Sequence, residues 1–130
     1  MAIDYGQKRC GVAVTDLLQI SANPLITLST SKLYDFIVQY CQDEEVETIV
    51  FGLPLHKDGN PTPLFEEVKK MEEKVKKAVK VKTDFEDESF TSQEAKMILT
   101  QIVRKKRRKE KKLTDLISAV LILQRYLNHI

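Results

Sequence analysis

No tryptophan occurs in this sequence, and cysteine and histidine appear only twice each among 130 residues. Cys10 and Cys41 belong to no CxxC or His-linked cluster, so they read as reduced packing thiols. His56 and His129 have no metal-ligand partner at useful spacing, which argues against a zinc site. No apolar stretch approaches the roughly 20 residues of a membrane span, and the N-terminus lacks a charged region followed by a hydrophobic segment. A cytoplasmic protein with no membrane partner is therefore expected. Low-complexity tracts, internal repeats and dividing linkers are also missing, which predicts one globular domain over residues 1–130. Aromatic residues make up 7% of the chain and form no ladder on which bases could stack. Any nucleic acid would then be recognised through backbone or shape.

Charge is present in both signs but is unevenly placed. Residues 104–112, RKKRRKEKK, carry eight cations and one glutamate, a net +7 in a chain of net +2, which leaves −5 for the rest. Such a run reads as a solvated loop, or as a track for phosphates.

Strand and helix signals alternate along the chain. Ala2-Ile3, Cys10 to Val14 and Pro24 to Leu28 predict three strands with short connections, a meander. Leu33, Phe36, Ile37, Tyr40 and Cys41 recur at helical spacing, with Thr30 and Ser31 available as N-caps. ETIVFGLPL follows as a nearly continuous apolar strand of the kind buried on both faces. Leu64, Val68, Met71, Val75 and Ala78 form a helical stripe, with Glu66/Lys70, Glu72/Lys76 and Glu73/Lys77 paired four apart on the wet side. Val79 to Thr83 predicts a fifth strand running into DFEDES. Thr91 and Glu94 fit a capping box for a helix using Ala95, Ile98, Leu99 and Ile102. Leu116, Val120, Leu123 and Leu127 mark a final helix starting near Thr114 or Asp115. A meander followed by right-handed crossovers gives a mixed α/β sheet with strand one at its centre. Ligand sites in such sheets favour the strand ends, where Asp4 stands.

Taken singly, the acids have plain explanations. Asp4 suits a hairpin turn, Asp87 and Glu88 a solvated loop, and Asp115 the positive end of a helix dipole. The topology, however, allows all of them to meet. Clustered carboxylates repel one another unless a cation neutralises them, and oxygen ligands favour Mg²⁺ or Mn²⁺.

AIDYGQKRCGVAVTD, IVFGLPLHKDG, DESFTSQEA and KLTDLISAVLILQRYL occur in the same order as the blocks of the YqgF family. The chain thus resembles, over nearly its whole length, small bacterial proteins described as pre-16S ribosomal RNA nucleases or Holliday junction resolvase-like proteins. The resemblance implies an RNase H-like fold with a five-stranded mixed sheet of order 3-2-1-4-5 flanked by helices. It also implies that Asp4, Asp87, Glu88 and Asp115 are the catalytic acids and hold one or two Mg²⁺ (or Mn²⁺) ions. Such a centre would hydrolyse phosphodiester bonds to leave 5′-phosphate and 3′-hydroxyl ends. Ser118 and Ala119, one turn beyond Asp115, are small enough to leave room beside the metals, and small residues equally suit helix packing. Lys8, Arg9, Lys57 and the basic run, Arg104, Lys105, Lys106, Arg107, Arg108, Lys111 and Lys112, would guide a nucleic-acid backbone. Lys8 and Arg9 read equally well as solvated turn residues.

Ser89 stands where the family usually has arginine, which removes a phosphate or carboxylate partner. Members also commonly begin a few residues earlier, which a misassigned start or a shortened chain would explain. The expected substrate is structured RNA, pre-ribosomal RNA in particular, with junction DNA as the rival and ribosomal particles as further partners. A monomer suits an RNA processor and a homodimer suits a resolvase. Two other readings are a non-catalytic RNA-binding assembly factor, which Ser89 favours, and a sugar-kinase or actin-like ATPase. Those ATPases need a second lobe that 130 residues do not supply.

Overall fold

A computed structural model describes residues 1–15, 22–53, 63–87 and 110–128, with the backbone alone for residues 87, 110–114 and 128. Three strands open the chain: β1 (Ala2–Tyr5), β2 (Arg9–Thr15) and β3 (Ala22–Ser29). A 3₁₀ turn, Thr30–Lys32, leads into α1 (Leu33–Asp43), and β4 (Thr48–Leu53), α2 (Phe65–Ala78), β5 (Lys82–Asp87) and α3 (Glu110–Asn128) follow. The sheet order is β3-β2-β1-β4-β5, with β1 antiparallel to β2 and parallel to β4. This is the mixed sheet expected from the meander and its crossovers.

Side chains alternate across a strand, so each strand divides its residues between two faces. Ile3, Tyr5, Cys10, Val12, Ile49 and Phe51 join Leu33 and Ile37 of α1 and Val68 and Val75 of α2 in one core. Ala2, Ala13 and Val50 meet Ala119, Ile122 and Leu123 of α3 in the other. The two cores explain why β4 is apolar without a break: it is covered on both sides.

Four local expectations are corrected. Thr30 does not cap α1; its hydroxyl donates to the Gly6 carbonyl at 2.6 Å and ties the 3₁₀ turn to the first hairpin. Glu72 is 8% exposed rather than on the wet side, because the Thr83 hydroxyl of β5 donates to its carboxylate. β5 begins at Lys82, not Val79, since the Val79 N–H still bonds the Val75 carbonyl at 2.9 Å and closes α2. α3 begins at Glu110 rather than near Thr114, carried by the strong helix formers Glu110, Lys111, Lys112 and Leu113. Lys111 and Lys112 accordingly lie on a helix, not in the expected loop. The helix expected at 91–102 lies outside the described residues.

Candidate active site

Asp4 lies near the end of the central strand and is 9% exposed. Alternation puts it with Ala2, on the face that α3 covers. Its partner across the β1–β2 pair is Gly11. Continuing the β1–β4 register by one step sets Gly52 on its other side. Glycine on both neighbouring strands leaves the carboxylate without flanking side chains, so another element can approach it.

That element is α3. A Cβ at Gly11 would overlap the backbone carbonyl of Asp115 and come within 3.1 Å of the Leu116 nitrogen. The helix therefore rests its backbone at Asp115 directly on the cross-strand partner of Asp4. The two acids act on one shared probe as well. Burial pushes the Cys10 thiol above its ordinary range, hydrogen bonding to Thr30 offsets part of this, and the negative charges of Asp4 and Asp115 push it further up.

Arg9, at the start of β2, places its Nε 3.9 Å from Asp115 Oδ2, with side-chain exposures of 36% and 21%. An ion pair this exposed adds little stability. Its consequence is positional: a guanidinium stands at the rim of the acid face. Lys8 is exposed in the adjoining turn, and its carbonyl accepts the Thr30 N–H at 3.0 Å.

One turn along α3 from Asp115, Ser118 is completely buried, and its Oγ has no hydrogen-bond partner among the described residues. The Ser118 oxygen and the two carboxylates are hard donors, whereas the Cys10 thiol packs in the opposite core. Oxygen donors of this kind suit Mg²⁺ or Mn²⁺. Among the described residues, no three His, Cys, Asp or Glu side chains are grouped so as to hold a metal.

The backbone of Asp87 ends β5 opposite Leu53, and only β4 separates that strand from β1. Glu88, Lys57 and Arg104, Lys105, Lys106, Arg107 and Arg108 lie outside the described residues. Sequence reasoning missed Glu86. It pairs with Gly52 and shares its strand face with Asp84, whose carboxylate accepts the Tyr126 hydroxyl of α3 at 3.0 Å. Glu86, Gly52, Asp4 and Gly11 thus form one row across the sheet beneath α3. Period-two alternation in TDFED, counted from Asp84, was the signal that could have found it.

No helix among the described residues is long and apolar enough to cross a membrane. The family model described as RuvX, Holliday junction resolvase, matches residues 1–129. A protein of Phocaeicola vulgatus named "Putative pre-16S rRNA nuclease" is 43% identical over 98% of this chain and 93% of its own length. Proteins of the same name from Bacteroides fragilis and Christiangramia forsetii are 41% and 39% identical, over 98% of this chain and 94% and 96% of theirs. With a sheet of order 3-2-1-4-5 and similarity along its whole length, the chain belongs to the RuvX/YqgF family of nucleases with an RNase H-like fold.

Proposed function

We propose that this chain, as a single domain over residues 1–130, is a metal-dependent endonuclease acting in the cytoplasm on pre-16S ribosomal RNA during ribosome assembly. The observation that carries the reading is the seating of Asp115 on Gly11, the cross-strand partner of Asp4. Two acids from distant parts of the chain are held on one face at the end of the central strand. Asp4 and Asp115, with Asp87 and Glu88 completing the set, would hold one or two Mg²⁺ or Mn²⁺ ions, and the buried Ser118 oxygen suits the hydration shell of such an ion. When bound, the cation supplies charge neutralisation for a phosphodiester and lowers the pKa of water.

The chain's own groups have separable tasks. Asp4, fixed by pairing of its backbone on the central strand, provides an anchor that does not move when substrate arrives. Asp115 shares its carboxylate between the acid face and Arg9, and Arg9 meets the phosphate that enters beside it. Lys8 and the basic run at 104–112 attract the flanking backbone. Contact with about four phosphates gives log affinity a slope of roughly −3 to −4 against log salt.

The test is cleavage of a labelled pre-ribosomal RNA fragment and a four-way DNA junction with Mg²⁺ or Mn²⁺. Wild type is expected to cut the RNA, leaving 5′-phosphate ends, while Asp4→Asn and Asp115→Asn lose at least a hundredfold, the scale seen when transition-state charge stabilisation is removed. Cutting of the junction alone would move the substrate to DNA, which the family description favours. Binding without metal-dependent cutting, unchanged in both variants, would overturn the nuclease reading in favour of an assembly factor.

A further inference from the structure

On the face of the sheet opposite Asp4, α1 and α2 leave an open groove of about 440 Å³ between them. Tyr34, Lys70, Lys74 and Lys77 line it, with Glu73 as the single acid in the lining. The lysines are four and three residues apart, so they stand on one side of α2. Helical spacing would allow Lys70 and Lys77 to pair with Glu66 and Glu73, yet among the described residues none of the three lysines forms an ion pair. Lys74 instead holds its Nζ 4.1 Å from the centroid of the Tyr34 ring. A cation over an aromatic face keeps its full charge while the ring restricts where it can go. The groove is therefore a cationic row with one member fixed in place.

Its position relative to the acid face follows from the 3₁₀ turn. Thr30 bonds the Gly6 carbonyl through its hydroxyl and the Lys8 carbonyl through its N–H, at 2.6 and 3.0 Å. Tyr34 comes four residues later, about one helical turn or 6 Å along the axis. Exposed Lys8 and Lys32 stand on either side of that junction. A polyanion leaving Arg9 at the rim of the acid face thus meets Lys8, Lys32 and then the groove, where three lysines outnumber the one acid, Glu73.

We propose that the groove between α1 and α2 is a second binding site for the phosphodiester backbone of a structured RNA, taking the part of the strand that continues past the acid face around the end of the sheet. The site rests on the nuclease reading above, because a strand engaged at Asp4 and Asp115 is what delivers the backbone to it. Lys70, Lys74 and Lys77 neutralise successive phosphates. Tyr34 positions Lys74 and contributes no base recognition.

The experiment compares two RNA hairpins by fluorescence anisotropy across a salt series, using the full chain. One covers only the acid face, and the other is extended by a second helix. Lys70→Gln, Lys74→Gln and Lys77→Gln are combined; all three positions are exposed and glutamine is a good helix former, so the fold is retained. The extended hairpin is expected to bind the triple variant at least about tenfold more weakly, with a salt slope shallower by about 2 to 3. The short hairpin is expected to bind and be cut as by wild type. Tyr34→Phe should match wild type, and Tyr34→Ala should lose part of the affinity for the extended hairpin only. Unchanged affinity and slope for the extended hairpin, or equal losses on both RNAs, would overturn the site. If wild type cut neither hairpin, the nuclease reading would fall, while the difference in salt slope would still decide the groove.

Discussion

Ser118 has a hydroxyl enclosed by protein on the sheet-facing side of α3, one turn from Asp115, with no hydrogen-bond partner among the described residues. A buried polar group without a partner costs about 1–3 kcal/mol, and removing it returns that penalty. Ser118→Ala is therefore expected to leave the metal-free protein as stable as wild type or more stable by about 1 kcal/mol in urea unfolding. In the same measurements, added Mn²⁺ should stabilise the variant less than wild type, because the oxygen that suits a hydrated cation is gone. A loss of stability without metal, together with an unchanged response to Mn²⁺, would assign Ser118 to packing alone. Cys10 illustrates the opposite use of a small polar residue. Its thiol is also buried, but it lies 3.4 Å from the Thr30 hydroxyl, which itself bonds Gly6, so the side chain closes the hairpin instead of serving the acid face.

At the scale of elements, the central event is α3 lying across β2 and β1 with its backbone on Gly11. Gly11→Ala puts a methyl group where the Asp115 carbonyl sits, so the helix must lift. Overpacking of this kind costs about 1–3 kcal/mol. The loss of cleavage is expected to exceed what the unfolded fraction explains, since lifting α3 carries Asp115 away from Asp4; denaturation curves and single-turnover cleavage on the same preparation check this. Much of this geometry was legible in the residues. Asp4 at a strand end, the apolar run of β4 and the stripe Leu116 to Leu127 fixed a central strand covered by helices. Less legible were features decided by contacts between elements. Nothing in EEKVKK distinguishes Glu72 from its neighbours until Thr83 of β5 is beside it. The alternating VKVKT is a sound strand signal, but the closing turn of α2 claims Val79 first. The α3 boundary falls earlier than Thr114 because the apolar stripe begins only at Leu116, whereas Glu110 to Leu113 extend the helix by propensity alone. Glu86 stands one residue short of the strand end, and its row across the sheet depends on the β4–β5 register.

Across the described part of the molecule, the side chains whose ionisation burial alters all move one way. Burial raises Tyr5, Cys10, Tyr40, Cys41 and Tyr126 above their ordinary values, and for Tyr126 the hydrogen bond to Asp84 adds to the effect. Each of these groups is neutral when protonated and is held protonated more firmly in the folded chain than in the unfolded one. Their contribution to stability is therefore fully present below the unfolded values, about 8.5 for cysteine and 10 for tyrosine, and is lost as pH rises through the higher folded values. Above pH 8 the urea midpoint should fall steadily toward pH 11, at scales set by those same ordinary values of about 8.5 and 10. Tyr126 joins the two halves of this behaviour, since its hydroxyl, donated to Asp84 at 3.0 Å, pins α3 to β5. Tyr126→Phe should lower stability near neutral pH by about 1 kcal/mol, the worth of one hydrogen bond to a charged group at partial exposure. It should also flatten the alkaline decline, because the phenylalanine has no proton to lose. A variant that lost stability at neutral pH yet kept the full alkaline slope would show that the decline arises from the other four groups. Since Tyr126 is far along α3 from Asp115, the same variant is expected to keep its cleavage of short RNA, separating the helix's hold on the sheet edge from its placement of the acid.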